Sequence, residues 1–241
     1  MSGGGSYGAF EAGALYGFLH SDKGKNFAWD VVTGVSAGSI NTAAVSLWAI
    51  GDEMNMVEFL SDTWASIWTE EVFVNWFPDG IVTGVLKHSA LFDTAPAFKT
   101  LARIVKPFDA KMLRRLVVTC VDVNTGATIR FNETVSDIVK AIMSSSSIPF
   151  IFPTTNWKDY DGQELVCSDG GVSYGVNIPD AINRCREIAD DDSEITLDVV
   201  MCSSAGSLGD FNVSKSTVDN FMRYREIKSY YSGVADLYYF K

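Results

Sequence analysis

The sequence predicts an α/β fold in which a mostly parallel central sheet is flanked by helices. Short apolar runs that are typical of buried strands alternate along the 241 residues with segments of helical periodicity. The composition, 47% hydrophobic and 20% charged, is that of an ordinary globular protein. No internal repeat and no linker rich in proline or glycine divides the chain. We therefore expect one domain over residues 1–241.

Apolar runs predict the strands, and one turn-like tripeptide predicts a hairpin. The predicted strands cover residues 27–33, 116–123 and 127–131, the surroundings of Val166, and residues 195–202. Asn124-Thr125-Gly126 separates two of these runs and favours an antiparallel hairpin. The run at 195–202 is continuous, as in strands that are buried on both faces of a parallel sheet.

Helical spacing and capping residues predict the helices. The predicted helices cover residues 39–50, 54–68 and 96–105, with Asp93 and Thr94 as caps of the third. Thr134 and Asp137 are spaced as in a capping box, which predicts that a further helix starts at Thr134. Pro179 suits the first turn of another helix.

Charge and hydropathy exclude several classes of partner. Nineteen basic and 30 acidic residues give a net charge of −11, which would repel the phosphates of nucleic acids. No segment approaches the roughly 20 apolar residues that a membrane-spanning helix requires. The first residues do not resemble a signal peptide, so a cytoplasmic or peripheral membrane location is favoured over secretion.

Five aromatic residues predict core packing, with a lid or lipid-facing surface as the alternative: Trp64, Trp68, Phe73, Trp76 and Phe77.

The cysteines and histidines offer little chemistry. The four cysteines form no C-x-x-C pair, and three of them lie in or beside apolar runs, so we expect buried thiols and neither a zinc site nor a redox pair. His20 and His88 are the two histidines of the chain. No metal or cofactor is expected.

Gly34-Val35-Ser36-Ala37-Gly38 matches the G-x-S-x-G nucleophile elbow. This motif needs glycines because its sharp strand-to-helix turn leaves no room for side chains beside the serine. Here it follows an apolar run and precedes a helix of small residues, which is the arrangement that exposes a serine hydroxyl at a helix N-terminus. Ser36 is therefore the candidate nucleophile. The alternative is a tight turn with an ordinary serine.

The glycine loop, defined here as residues 3–8, has two interpretations. Its G-x-G-x-x-G spacing, with Asp30 further along the chain, matches a dinucleotide fingerprint. The same glycines also suit an oxyanion hole, which needs unshielded backbone N–H donors. A dinucleotide site gives the serine elbow no role, whereas acyl transfer uses both motifs, so hydrolysis is favoured.

The base of this hydrolase is predicted to be an aspartate. A catalytic triad in the order of the α/β-hydrolases needs a histidine after the nucleophile and the acid, and His88 is the last histidine of the chain. An aspartate within hydrogen-bond reach of the hydroxyl can act in its place. Asp169-Gly170-Gly171 is the candidate, because its glycines let a carboxylate come close to another backbone. The alternative is a simple turn.

Together these motifs resemble the patatin-like phospholipases. Four blocks over residues 2–171 follow that family's order: residues 2–15, 34–41, 144–153 and 168–171. The resemblance implies a three-layer α/β sandwich in which Ser36 is the nucleophile, Asp169 the base, and Gly4 and Gly5 the oxyanion hole, without a metal. It implies hydrolysis of lipid acyl esters. The remaining motif glycines are Gly3, Gly8, Gly34, Gly38, Gly170 and Gly171.

Two features of the sequence depart from the family pattern. Tyr7 stands where many members carry arginine or lysine. Only Met1 and Ser2 precede the glycine loop, so we expect a domain that is truncated at both ends, with a vacancy beside the strand at 27–33. Two alternatives to a lipid hydrolase stay open, namely a non-catalytic lipid-binding relative and a dinucleotide-dependent enzyme that uses the glycine loop.

Overall fold

A computed structural model describes residues 1–78, 80–159, 161–202 and 216–239 of the chain. The strands are β1 (Val31–Val35), β2 (Val74–Asn75), β3 (Phe92–Asp93), β4 (Arg115–Asp122), β5 (Thr128–Asn132), β6 (Thr155–Lys158) and β7 (Glu164–Asp169). The helices are α1 (Gly8–Leu19), α2 (Ala37–Ser46), α3 (Glu53–Ser66), α4 (Gly80–Lys87), α5 (Ala95–Val105), α6 (Ile138–Ser145), α7 (Ile178–Cys185) and α8 (Thr217–Tyr239).

A five-stranded sheet lies at the centre of the fold. Its strand order is β1-β4-β7-β6, and β5 also pairs with β4. The β1–β4 pair is parallel, with Val35 opposite Thr119, whereas the β4–β5, β4–β7 and β6–β7 pairs are antiparallel. The α/β class is confirmed, but the sheet is mixed where a mostly parallel one was expected. The physical reason is that short connections join β4 to β5 and β6 to β7. Strands joined by such a hairpin pair antiparallel, whereas a parallel pair needs a long crossover connection.

Helices cover both faces of this sheet, as expected for three layers. On one face, Val32 of β1 packs with Leu15 of α1 and Leu60 of α3, and Leu116 of β4 packs in a cluster with α2, α5 and α6. Thr33 alternates with Val32 and therefore points to the other face. There its hydroxyl donates to the Asn177 carbonyl oxygen at 3.1 Å, just before α7.

Most predicted elements are confirmed within a few residues. The Asn124-Thr125-Gly126 turn joins β4 to β5 as a hairpin, and Pro179 lies in the first turn of α7. The predicted helix start at Thr134 is wrong. Thr134 donates instead to Asn132, and Asp137 is the residue that caps α6, since its carboxylate accepts from the Lys140 N–H at 2.9 Å.

The predicted strand at residues 195–202 is also wrong, because this segment has no regular secondary structure. Its backbone contacts are made with Ser2, whose N–H donates to the Val200 carbonyl at 3.1 Å. Met1 in turn donates from its amino group to the Thr33 carbonyl at 2.7 Å. Residues 1–3 therefore occupy the position beside β1, where a vacancy was expected.

Two cysteines are bonded rather than separate thiols, which corrects the expectation from the sequence. Cys120 of β4 and Cys167 of β7 form a disulfide, with their Cα atoms 5.6 Å apart. Both residues are completely buried. Cys202 is a buried free cysteine, and burial raises the pKa of its thiol to about 12.

An ion pair is buried at the end of the sheet opposite the elbow. Arg114 contacts Glu53 at 2.6 Å, and neither side chain is appreciably exposed. The same guanidinium donates to the carbonyl oxygens of Trp29, Trp48 and Ala49 at 2.7–2.9 Å. It therefore joins the approaches to β1 and β4 with the segment between α2 and α3.

Replacing Arg114 by methionine should lower the free energy of unfolding by about 3–5 kcal/mol, because Glu53 would remain buried without its partner. Urea denaturation would measure this loss. Arg103→Met is the matched control, since Arg103 pairs with Glu71 but is 64% exposed. Its loss should stay within about 1 kcal/mol. Equal losses in the two variants would contradict the prediction.

Candidate active site

The residues of the elbow form a sharp turn between β1 and α2. Ser36 directly precedes α2 and has a φ of 53°, in the left-handed region that side chains rarely adopt. A Cβ at Gly34 would lie 2.1 Å from the Gly38 carbonyl oxygen, and a Cβ at Gly38 would lie 2.6 Å from the Ser2 carbonyl oxygen. Both glycines are therefore required by close backbone contacts on either side of the serine.

The structure brings Ser36 and Asp169 together. The Ser36 hydroxyl donates to Asp169 Oδ2 at 2.7 Å, although 133 positions separate the two residues in the sequence. They are only 4% and 1% exposed. The contact arises because β1 and β7 both flank β4 and bring their carboxyl-terminal residues to neighbouring positions.

The loop after β7 fixes the orientation of Asp169. The Gly171 N–H donates to Asp169 Oδ1 at 2.7 Å, and the Asp169 N–H donates to the Ser147 carbonyl at 2.8 Å. A Cβ at Gly170 would lie 2.3 Å from the Thr119 carbonyl oxygen, so this glycine lets the loop lie directly against β4. One carboxylate oxygen is thus anchored, and the other faces the serine.

Two serines that were not singled out as site residues contact the backbone of Ser36. The Ser145 hydroxyl accepts from the Ser36 N–H at 2.9 Å, and the Ser146 hydroxyl donates to the Ser36 carbonyl at 3.1 Å. Both serines lie at the end of α6, in a run of four serines that the sequence marks by its composition. Small polar residues at this place hold the strained Ser36 backbone through hydrogen bonds to both its N–H and its carbonyl.

The glycine loop lies against the elbow. A Cβ at Gly3 would be 3.2 Å from the Ser36 Cβ, and a Cβ at Gly4 would be 2.4 Å from the Cys202 Cβ. The Gly3 N–H donates to the Gly175 carbonyl at 3.2 Å. Among the hydrogen bonds of the described residues, none uses the N–H of Gly4 or Gly5.

Neither histidine contacts Ser36 or Asp169. His20 stacks on Tyr16 and lies 3.2 Å from Glu58, and exposed His88 stacks on Trp76. Within the described part of the chain, no group of histidine, cysteine and acidic residues is arranged to hold a metal ion.

Asp30 does not approach the glycine loop. It lies just before β1, whereas the loop contacts Ser36 just after β1. Five strand residues separate these positions by about 17 Å. This geometry argues against the dinucleotide interpretation.

The five aromatic residues between positions 64 and 77 are divided between the two interpretations of the sequence. Trp64 donates to Asn41 at 2.7 Å, and Phe73 packs on Phe92. Trp68 and Phe77 are 73% and 93% exposed. The segment is therefore neither wholly core nor wholly a surface.

Two comparisons with known proteins find a match, one to a family profile and one to a solved structure. A family profile described as patatin-like phospholipase matches residues 1–182. The structure of VipD from Legionella pneumophila is similar over 71% of this chain, with 15% identity and a TM-score of 0.37. The chain spans 45% of that protein's length. No curated protein matches. From the profile match over three quarters of its length, the chain belongs to the patatin-like phospholipase family.

Proposed function

We propose that this protein hydrolyses carboxylic ester bonds of glycerolipids through an acyl-enzyme on Ser36, with Asp169 as the base. Membership of the patatin-like family supports lipid acyl hydrolysis as the general activity. The observation that carries the finer proposal is the 2.7 Å hydrogen bond from the Ser36 hydroxyl to Asp169. A buried carboxylate in contact with a serine is the arrangement that a two-residue acyl-transfer site needs.

In the first half of the reaction, Ser36 Oγ attacks the ester carbonyl carbon and Asp169 Oδ2 takes its proton. The negative charge that develops on the carbonyl oxygen is stabilised by the N–H groups of Gly4 and Gly5. The N-terminus of α2, which starts directly after Ser36, adds a favourable dipole. Asp169 then returns the proton to the departing alcohol oxygen as the carbon–oxygen bond breaks. The acyl group remains on Ser36.

In the second half, a water molecule attacks the acyl-enzyme. Asp169 takes a proton from this water and delivers it to Ser36 Oγ as the fatty acid leaves. The Gly171 N–H holds the other carboxylate oxygen throughout, so the carboxylate does not have to reorient between the two steps. No residue besides these is needed for the proton transfers.

Labelling with a fluorophosphonate probe tests this proposal. The probe should react with the folded protein, and mass spectrometry should find the adduct on the peptide that contains Ser36. The purified protein should also release fatty acid from phosphatidylcholine vesicles. Lipid binding without labelling or hydrolysis would instead favour the non-catalytic lipid-binding relative.

Contact with a lipid interface is the second part of the proposal. Three exposed apolar side chains lie within a few positions of the site residues: Tyr7, Phe150 and Val172, which are 58%, 50% and 41% exposed. No helix of the described residues could span a bilayer. The net charge of −11 opposes binding to anionic surfaces, so a zwitterionic lipid surface is the better partner.

Replacing Tyr7 or Phe150 by serine should lower the hydrolysis of phosphatidylcholine vesicles by about fivefold, because each variant loses apolar area at the interface. The loss for a short soluble ester should be smaller. Phe77→Ser is the control, since Phe77 is 93% exposed but distant in sequence from every site residue. Equal losses on both substrates would show that these side chains do not act through the interface.

A further inference from the structure

A buried carboxylate outside the proposed dyad connects the two halves of the site. Glu11 of α1 is fully buried. Its Oε1 accepts from the Ser2 N–H at 2.7 Å and from the Ser2 hydroxyl at 3.1 Å. Its Oε2 accepts from the Asn41 amide of α2 at 2.9 Å. Glu11 therefore ties the residue before the glycine loop to the helix that begins after Ser36.

The neighbours of this carboxylate fix the direction of every hydrogen bond. The Asn41 amide nitrogen also donates to the Gly8 carbonyl at 3.0 Å, and its oxygen accepts from Trp64 Nε1 at 2.7 Å. Turning the amide over would break both bonds. The Ser2 hydroxyl accepts from the Cys202 N–H at 2.6 Å, so its own proton is left for Glu11. Only donors face Glu11, and a group with two acceptor oxygens is required there.

Retaining this carboxylate in a buried place is unfavourable in itself. Burial raises the pKa of Glu11, while the charge of the Met1 amino group and the hydrogen bonds from Asn41 and Ser2 act in the opposite direction. The Cys202 thiol is the other titratable group beside it. The reaction as proposed gives Glu11 no proton to transfer.

We propose that Glu11 is a positioning residue that holds the glycine loop in register with Ser36. The inference rests on the proposed ester hydrolysis and adds to it the part that orients the oxyanion donors. The connection runs from Glu11 through Ser2 to Gly3, whose Cα carries no side chain and lies against Ser36. A shift of about 1 Å in such donors can lower the rate of the chemical step by about 100-fold.

Glu11→Gln is the first test, because it keeps the shape and places an amide donor opposite other donors. We expect kcat for p-nitrophenyl butyrate to fall by about 100-fold with KM within about twofold. Hydrogen–deuterium exchange of residues 2–8 should accelerate by about tenfold. Glu53→Gln is the matched control: Glu53 is also buried, but it pairs with Arg114 away from the elbow. It should lose stability and change neither kcat nor exchange in the loop.

A double variant separates positioning from simple loss of stability. In Glu11→Gln with Asn41→Asp, the glutamine amide at position 11 can donate to the aspartate at position 41, which still accepts from Trp64. The aspartate cannot donate to the Gly8 carbonyl as Asn41 does, so the rescue should be partial. The glutamine oxygen remains for the Ser2 N–H. We expect kcat to recover by about tenfold over Glu11→Gln alone. If Glu11→Gln does not fold, Ser2→Ala, which removes only the hydroxyl links, should still lower kcat by about fivefold.

Wild-type kcat in Glu11→Gln, or unchanged exchange of residues 2–8, would overturn the positioning role. An equal loss of kcat in Glu53→Gln would overturn it as well. If the wild-type protein neither hydrolyses esters nor reacts with a fluorophosphonate, the proposed function fails. The exchange measurement still decides whether Glu11 holds the loop.

Discussion

Ser36→Ala should abolish ester hydrolysis, with a loss in kcat on the order of 10⁶-fold, because it removes the hydroxyl that would form the acyl-enzyme. The neighbouring serines cannot replace it. Ser145 and Ser146 are engaged with the Ser36 backbone N–H and carbonyl and lie at the end of α6 rather than in the elbow. Rates of p-nitrophenyl butyrate hydrolysis and fluorophosphonate labelling would measure the effect.

The matched control is Ser46→Ala at the end of α2, the helix that follows Ser36. Ser46 is fully buried and donates to the Thr42 carbonyl at 2.7 Å. Its replacement by alanine therefore also removes a buried, hydrogen-bonded hydroxyl, but ten positions away from Ser36. It should keep wild-type labelling, and both variants should keep cooperative thermal unfolding. If Ser36→Ala were labelled like the wild type, Ser36 would not be the nucleophile.

Local patterns in the sequence were sufficient to predict the elbow and most elements. Gly34 is required by a contact only four positions away, with the Gly38 carbonyl oxygen, and the spacing of the motif therefore indicated the turn, although Gly38 is required by the distant Ser2. The hairpin between β4 and β5 was predictable for the same reason, since Asn124-Thr125-Gly126 determines it locally. Apolar periodicity located α3 and α5 to within two residues.

Long-range contacts account for what the sequence did not predict. The run at 195–202 is apolar enough for a strand, but a strand also needs a paired neighbour, and the backbone bond from Ser2 to Val200 is a contact that no local pattern reveals. The disulfide between Cys120 and Cys167 depends on the antiparallel pairing of β4 with β7, which no local pattern indicates. The buried Glu11 gave no signal, because a glutamate on a helix is usually exposed.

Asp169→Asn should lower kcat by about 10⁴-fold, the second largest effect that we expect in the chain. The amide oxygen of the asparagine can still accept from the Gly171 N–H, which now donates to Asp169 Oδ1 at 2.7 Å. Its NH₂ group would then face Ser36 in place of Oδ2. An NH₂ group donates to the serine oxygen and cannot take its proton, so the hydroxyl would be bound but not activated.

His20→Ala and His88→Ala are the controls that separate a two-residue site from a triad. Neither histidine contacts Ser36 or Asp169, so both variants should keep kcat within about twofold of the wild type. A collapse in either variant comparable to that of Asp169→Asn would mean that a histidine is the base. If both histidines are dispensable and Asp169→Asn is inactive but folded, the base is the Asp169 carboxylate, which accepts from the Ser36 hydroxyl at 2.7 Å.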